Sequence, residues 1–337
     1  MFAHTRVVLA SIGILMMAGF ADPVKAGALP ENMEKPGGFP ERALVAVVPY
    51  GPAGGSAQFA RALSEAVTRV TGVPIEMQYR NGASGSFGMA YYMASRPDGY
   101  TVLEHIDDAA AAHAMSPSRP NPAEDLIPLM IGQITFSQIY IRSDEKRFTD
   151  WGSFVDYAKK HKGRVTVANI TKAGSMERLN LKLVADHLGI ELEQISLDRA
   201  AYRYLALERG YVDALFEQPG DISDFLDSGK FKPILTFLED RSAAFPDVPA
   251  FKDIGLQRKP LMRYRGYYVH KDAPPERVEW LKWAFQKAFS DEDYQAFNKE
   301  KYMDLVDSFR DTDGARKLIK ENIEIYRKTY KELGLIF

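Results

Sequence analysis

The sequence predicts an α/β protein built as two lobes. Strand and helix patterns alternate along the chain, they fall into two blocks, and glycine-rich turns recur where a strand hands over to a helix. Alternation of this kind is what parallel sheets covered by helices require, because each crossover lays a helix on the sheet.

In the first block, residues 43–48 form a continuous apolar run, as expected of a strand buried on both faces. Phe59, Ala62, Leu63, Ala66, Val67 and Val70 recur at helical spacing, which predicts an amphipathic helix over residues 56–71 stopped by Gly72. Ile75, Met77 and Tyr79 alternate with Glu76, Gln78 and Arg80 and predict a second strand. A short helix over 87–95 and a strand over 101–106 complete a β-α-β-α-β unit. The second block begins after Asp125, with strands expected at 134–142 and 165–170 and helices at 151–160 and 175–188. Two further helices are expected at 276–290 and 312–333.

Residues 1–26 read as a secretory signal peptide. Arg6 gives the positive start, residues 7–20 are apolar and uncharged, and Val24 and Ala26 are the small residues of a cleavage site. That apolar run is short of the about 20 residues a membrane span needs. Cleavage leaves 337 − 26 = 311 residues, room for two domains. Cysteine is absent, so no disulfide, thiol nucleophile, thiolate metal site or lipidated cysteine is available. A free, exported, periplasmic protein is the expectation. The net charge of −2 carries no basic excess, and nucleic acid is not an expected partner.

Two glycine-rich turns, residues 49–56 and 81–88, lie between a strand and a helix, and 171–175 form a looser third. Each sets the free amides of a helix N-terminus at the carboxyl edge of a sheet, where the helix dipole favours an anion and open α/β sheets bind ligands. Ser56, Ser86 and Ser175 are alternatively helix caps. Catalytic motifs do not fit these turns. Gly54-Gly55-Ser56 has no following lysine, residues 82–88 lack the dinucleotide glycine spacing, and Ser86 stands where a nucleophile elbow at Ser84 needs glycine. His105, Asp107, Asp108 and His113 are the nearest approach to a metal cluster and are expected in a solvated loop. No enzyme, catalytic residue, cofactor or metal is expected.

The ordered motifs resemble those of the tripartite tricarboxylate transporter receptors, also called the Bug family. They are Val47-Val48-Pro49-Tyr50 with Gly54-Gly55 and Ala60-Arg61, then Arg80-Asn81-Gly82-Ala83 with Gly85 and Gly88, then Arg96-Pro97-Asp98-Gly99-Tyr100-Thr101. Asp125-Leu126-Ile127-Pro128, Gly174-Ser175, Arg241-Ser242 and Phe245-Pro246-Asp247-Val248-Pro249 follow in order. The resemblance implies a two-lobed periplasmic-binding-protein-like fold of type II, each lobe a mixed, mainly parallel sheet flanked by helices, with a cleft that closes like a flytrap. The signal peptide at 1–26 and a Pro/Gly-rich flexible leader at 27–41 precede the fold, and the resemblance implies one lobe of 42–138 plus 266–337 and a second of 139–265. It also implies a monomeric receptor that captures a small organic carboxylate (di- or tricarboxylate, or aromatic acid) and delivers it to integral membrane transporter subunits. Signalling to a histidine kinase is the alternative within binding proteins, and a periplasmic carboxylate enzyme the alternative outside them.

By the same resemblance, Tyr50, Gly54, Gly55, Ser56, Gln58, Ser84, Gly85 and Ser86 hold a ligand carboxylate, chiefly on backbone amides, and Gly174, Ser175 and Arg178 contribute from the opposite lobe. The family commonly has aspartate at Gln58, histidine at Arg178 and Pro-Tyr-Lys-Gly at Ser196-Leu197-Asp198-Arg199. Gln58 and Arg178 either face the cleft, favouring a more anionic ligand, or lie on solvated helix faces.

Overall fold

A computed structural model describes residues 29–170 and 174–336; the expected signal peptide and residues 171–173 of the third glycine turn lie outside the described residues. The chain begins with β1 (Leu44–Val48), α1 (Gly55–Thr71), β2 (Ile75–Tyr79), α2 (Ser86–Met93), β3 (Thr101–Ile106), α3 (Asp108–Met115) and β4 (Leu126–Thr135). It continues through β5 (Gln138–Arg142), α4 (Trp151–Lys160), β6 (Val165–Asn169), α5 (Met176–Leu188), β7 (Leu192–Ser196), α6 (Ala200–Glu208) and β8 (Ala214–Glu217). After α7 (Ser223–Asp227) and β9 (Phe231–Thr236), β10 (Arg263–His270) leads into α8 (Pro275–Phe289), α9 (Glu292–Glu300) and α10 (Thr312–Glu332).

Two five-stranded mixed sheets result, in the orders β2-β1-β3-β10-β4 and β7-β6-β8-β5-β9. In the first, β1 runs parallel to β2 and β3, while β10 is antiparallel to β3 and β4. The second repeats the scheme, with β6 parallel to β7 and β8, and β5 antiparallel to β8 and β9. Proline lacks the N–H of an internal ladder position. The sheets accommodate Pro128 in β4 and Pro233 in β9 by making both strands edges, with a register irregularity at each proline.

The apolar segment 134–142, expected as one strand, is two strands in different sheets. The chain leaves the first sheet at Thr135 and enters the second at Gln138, and no glycine or proline marks the passage. It returns to the first sheet at Arg263, so Gln138 belongs with the second sheet and Arg263 to Arg265 with the first. The expected loop around His105, Asp107, Asp108 and His113 is the end of β3 and the helix α3, and all four residues are buried. The alanine-rich stretch has no polar face to give a helical period. The leader expected at 27–41 is docked at several points: the Pro30 carbonyl accepts from the Trp283 indole at 2.8 Å, and Phe39 packs edge-on against Tyr100 and Trp280.

Helices α1 and α8 cover one face of the first sheet, burying Phe59, Leu63, Val67, Tyr267, Trp280 and Phe285. The opposite face, with α3 and α10, belongs to a larger cluster that runs on into α4 and α5 of the second lobe. Strand β10 threads this centre. At the β10 irregularity after Arg265, a Cβ on Gly266 would stand 2.5 Å from Ile131 and 2.6 Å from the Met130 carbonyl. Glycine permits that approach. Gly266→Val is therefore expected to cost about 1–3 kcal/mol through overpacking, read as a lower urea midpoint at unchanged slope.

Candidate ligand-binding site

A cavity of about 440 Å³ lies between the two lobes, at the carboxyl ends of β1, β3, β6 and β8. The first lobe contributes the turn from Tyr50 to Ser56, and Arg263 and Arg265 from β10. The second contributes Glu177, the start of α6, Glu217 at the end of β8, and Gln218 and Asp221 beyond it. Helix α1 starts at Gly55 with Gly54 as its cap, and glycine has no side chain to accept from the first amides. Those donors and the helix dipole remain available to an anion. A Cβ on Gly55 would fall on the Asp221 carboxylate and the Arg265 guanidinium, so the bare backbone is what lets the helix end meet them.

Arg265 joins the lobes: its guanidinium donates to Asp221 at 2.6 Å and to Gln218 at 3.3 Å across the cleft, and to Gln133 at 3.0 Å in its own sheet. Arg263 does the same two residues earlier, donating to Asp107 on its own side and to Glu177 on the other. Tyr326 of α10 completes Asp107 with a 2.6 Å hydrogen bond. Arg203 of α6 is paired with Glu217 at 2.7 Å along the cavity wall. Buried pairs of this kind are costly to break, because removing one partner strands the other charge out of water.

Glu104 of β3 lies behind these arginines. It is fully buried, and among the described residues neither carboxyl oxygen makes a well-formed hydrogen bond. Burial pushes its pKa up to about 8, with Arg265, the neighbouring Ser56 hydroxyl and Arg263 offsetting only part of the rise. Burial also raises Asp107, against the pull of Arg263.

Residues 59–335 match the model of the tripartite tricarboxylate transporter family receptor, across both lobes. The chain belongs to this receptor family. Among curated relatives, BugT of Bordetella pertussis is 28% identical over 252 residues, 73% of each chain. A protein from the gbd 5′ region of Cupriavidus necator is 26% identical, covering 76% of this chain and 77% of that one. Solved structures with the same fold include the periplasmic binding protein BugD, with a TM-score of 0.80, 21% identity and coverage of 88% and 99%. MatC of Rhodopseudomonas palustris, solved with bound malate, has a TM-score of 0.76, 22% identity and coverage of 86% and 99%.

The receptor brings Tyr50, Gly54, Gly55 and Ser56 to the cavity. Gln58 sits one turn into α1 and reaches the Asp221 carbonyl at 3.5 Å, across the cleft. The second glycine turn places only Asn81 on the cavity wall. Ser84, Gly85 and Ser86 lie behind Tyr50, whose ring packs edge-on against His105; Ser86 lines a small separate pocket beside His105. Gly85 has φ +84°, and a Cβ there would stand 2.7 Å from the Tyr50 hydroxyl, so this glycine serves the turn itself. Gly174 gives its carbonyl to Tyr330 at 2.7 Å. Ser175 caps α5 by accepting from the Arg178 amide, whereas Ser56 and Ser86 lie inside their helices and Gly54 and Gly85 hold the cap positions. Arg178 donates from its guanidinium to the Ile170 and Gln194 carbonyls and to Ser196, and is not itself a lining residue of the cavity.

Glycine turns alone do not reveal the charged half of the site. Arg263 and Arg265 carried a legible signal: two cations at strand spacing inside the apolar and aromatic run 261–269. Glu177, Glu217 and Asp221 carried none, since an isolated acid on a helix, at a strand end or in a turn is ordinarily solvated.

A group whose folded pKa exceeds its unfolded value stabilises fully below the unfolded pKa and loses that contribution as pH rises through the folded one. For Glu104 the window runs from 4.5 to about 8. Across it, wild-type stability is expected to fall with pH by up to about 1.4 kcal/mol per unit more steeply than that of Glu104→Gln. Denaturant melts at several pH values measure the difference; parallel curves would place Glu104's titration at its ordinary value.

Proposed function

We propose that this receptor captures a small organic carboxylate in the interlobe cavity and delivers it to the integral membrane subunits of a tripartite transporter. The observation that carries the reading is the meeting of the α1 N-terminus with Arg265 and the Asp221 carboxylate at one cavity wall, a closeness that only glycine at position 55 permits. Amides at Gly54 to Ser56 hold the carboxylate, and the second lobe closes on its far end through the segment around Gln218 and Asp221. The volume suits a small acid, in keeping with relatives of the same fold solved with malate and with adipate. The receptor works as a monomer without cofactor and returns its ligand unchanged.

Two outcomes test this. In calorimetry against a panel of mono-, di- and tricarboxylates, Gly55→Val is expected to weaken the best ligand at least about tenfold, equivalent to about 1.4 kcal/mol, while circular dichroism shows an intact fold. A folded Gly55→Val that binds like wild type places the carboxylate elsewhere. On export, residues 1–26 are removed and the soluble periplasmic chain begins at Gly27. N-terminal sequencing reads this directly, and retention of residues 1–26 in the membrane fraction contradicts it.

A further inference from the structure

Glu104 and Asp221 are buried carboxyl groups of different lobes that share one guanidinium. Glu104 of β3 pairs in register with Tyr267 of β10, which puts it on the same face of the sheet as Arg265, two residues away. Arg265 donates to Asp221 across the cleft at 2.6 Å and to Gln133 of its own sheet at 3.0 Å. The start of α1 closes the group from above. A Cβ on Gly55 would fall on the Asp221 carboxylate and the Arg265 guanidinium, and the hydroxyl of Ser56 neighbours Glu104. Arg265 is the cation that acts on Glu104 most, ahead of Arg263, yet its hydrogen bonds go to Asp221, Gln218 and Gln133.

The other titratable groups around Glu104 among the described residues do not replace Arg265. Arg263 is engaged by Asp107 and Glu177. Tyr267 and Tyr268 of β10 and Tyr50 of the first turn are buried phenols whose pKa values are raised, so they stay neutral. His105, next along β3, packs its ring against Tyr50. With the lobes together, Asp221 neutralises Arg265, and an ionised Glu104 would put a second negative charge beside one cation. Burial disfavours that state, in keeping with the rise of the Glu104 pKa to about 8. Parting the lobes carries Asp221 away and leaves Arg265 facing Glu104 with no rival carboxylate. A cation stranded in this way is costly, and ionising Glu104 relieves it.

We propose, building on the receptor reading above, that ligand capture is coupled to protonation of Glu104: Arg265 pairs with Glu104 while the lobes are apart and with Asp221 when they meet, and the Glu104 carboxyl takes a proton from solvent as they close. A ligand carboxylate beside Arg265 acts in the same direction, because it too competes for that guanidinium. The Glu104 pKa is higher in the closed form than in the open one, so the proton favours closure. That contribution is complete below the open-form pKa and is lost as pH rises through about 8. Capture is strengthened on the acidic side of this window and release on the alkaline side.

The test is calorimetry of the full mature chain in buffers of different ionisation enthalpy, which counts the protons exchanged on binding. The probes are malate, succinate and adipate, each fully ionised at neutral pH, or the tightest acid of the wider panel if none of these binds. At neutral pH wild type is expected to take up about half a proton or more per probe bound. Its affinity is expected to fall at least about threefold between neutral pH and a pH of about 8. Glu104→Gln is expected to bind without the uptake and without that pH dependence. Asp221→Asn, which leaves Arg265 to Glu104 in the closed form as well, is expected to lose at least about half of the uptake. It decides the assignment if circular dichroism shows Glu104→Gln unfolded. Binding by wild type with no proton uptake, or with proton release, overturns the inference and leaves the receptor reading standing. So does an uptake that survives unchanged in either folded variant. Binding of no acid in the panel overturns both.

Discussion

Strand β10 is the constraint on which the rest of the molecule depends. It enters the first sheet from the second lobe, inserts between β3 and β4, and carries Arg263 and Arg265 to the cleft. Each arginine holds a carboxylate or amide of its own lobe and a carboxylate of the other. An arginine in such a position cannot shed its charge, and its planar fork reaches several acceptors at once. The distance between the lobes is thereby tied to the satisfaction of two buried cations. Separating the lobes would return Glu177 and Asp221 to water and take one set of acceptors from each arginine, setting solvation against pairing.

The same two arginines explain the acids behind them. Asp107 sits at the head of α3, bonded by Arg263 and by Tyr326 from the distant C-terminal helix, and is wholly buried. Glu104 lies deeper and makes no such pair; the rise of its pKa to about 8 is what burial does to a carboxyl group without sufficient compensation. Electroneutrality in the cleft is therefore approached partly by pairing and partly by protonation. An incoming ligand alters whichever of the two it disturbs.

Glycine acts at the cleft in two different ways. Gly55 is needed for what lies opposite, because any side chain would occupy the place of Asp221 and Arg265. Gly85 is needed for its own backbone, at positive φ beneath Tyr50. Both stand at the start of a helix in a glycine-rich turn, yet only the first touches the cavity. Tyr50 makes the difference by standing between the second turn and the cavity.

Elements whose residues answer to local rules were legible before any fold was known. Helices α1, α4, α5, α8 and α10 and strands β1, β2, β3 and β6 follow from apolar period, caps and stops, each lying close to where these features place it. The glycine turns marked the sheet edge that bears the cavity, since helix N-termini with small residues are recognisable one turn at a time. Tertiary structure alone decided the division of 134–142 between two sheets, because an apolar run reads the same whichever sheet receives it. It alone decided that Asp107 and Asp108 are buried, since their partner Arg263 lies more than a hundred residues away along the chain. The first half of the site is written in backbone freedom, which a sequence displays; the second is written in long-range charge pairing, which exists only once β10 has found its place between β3 and β4.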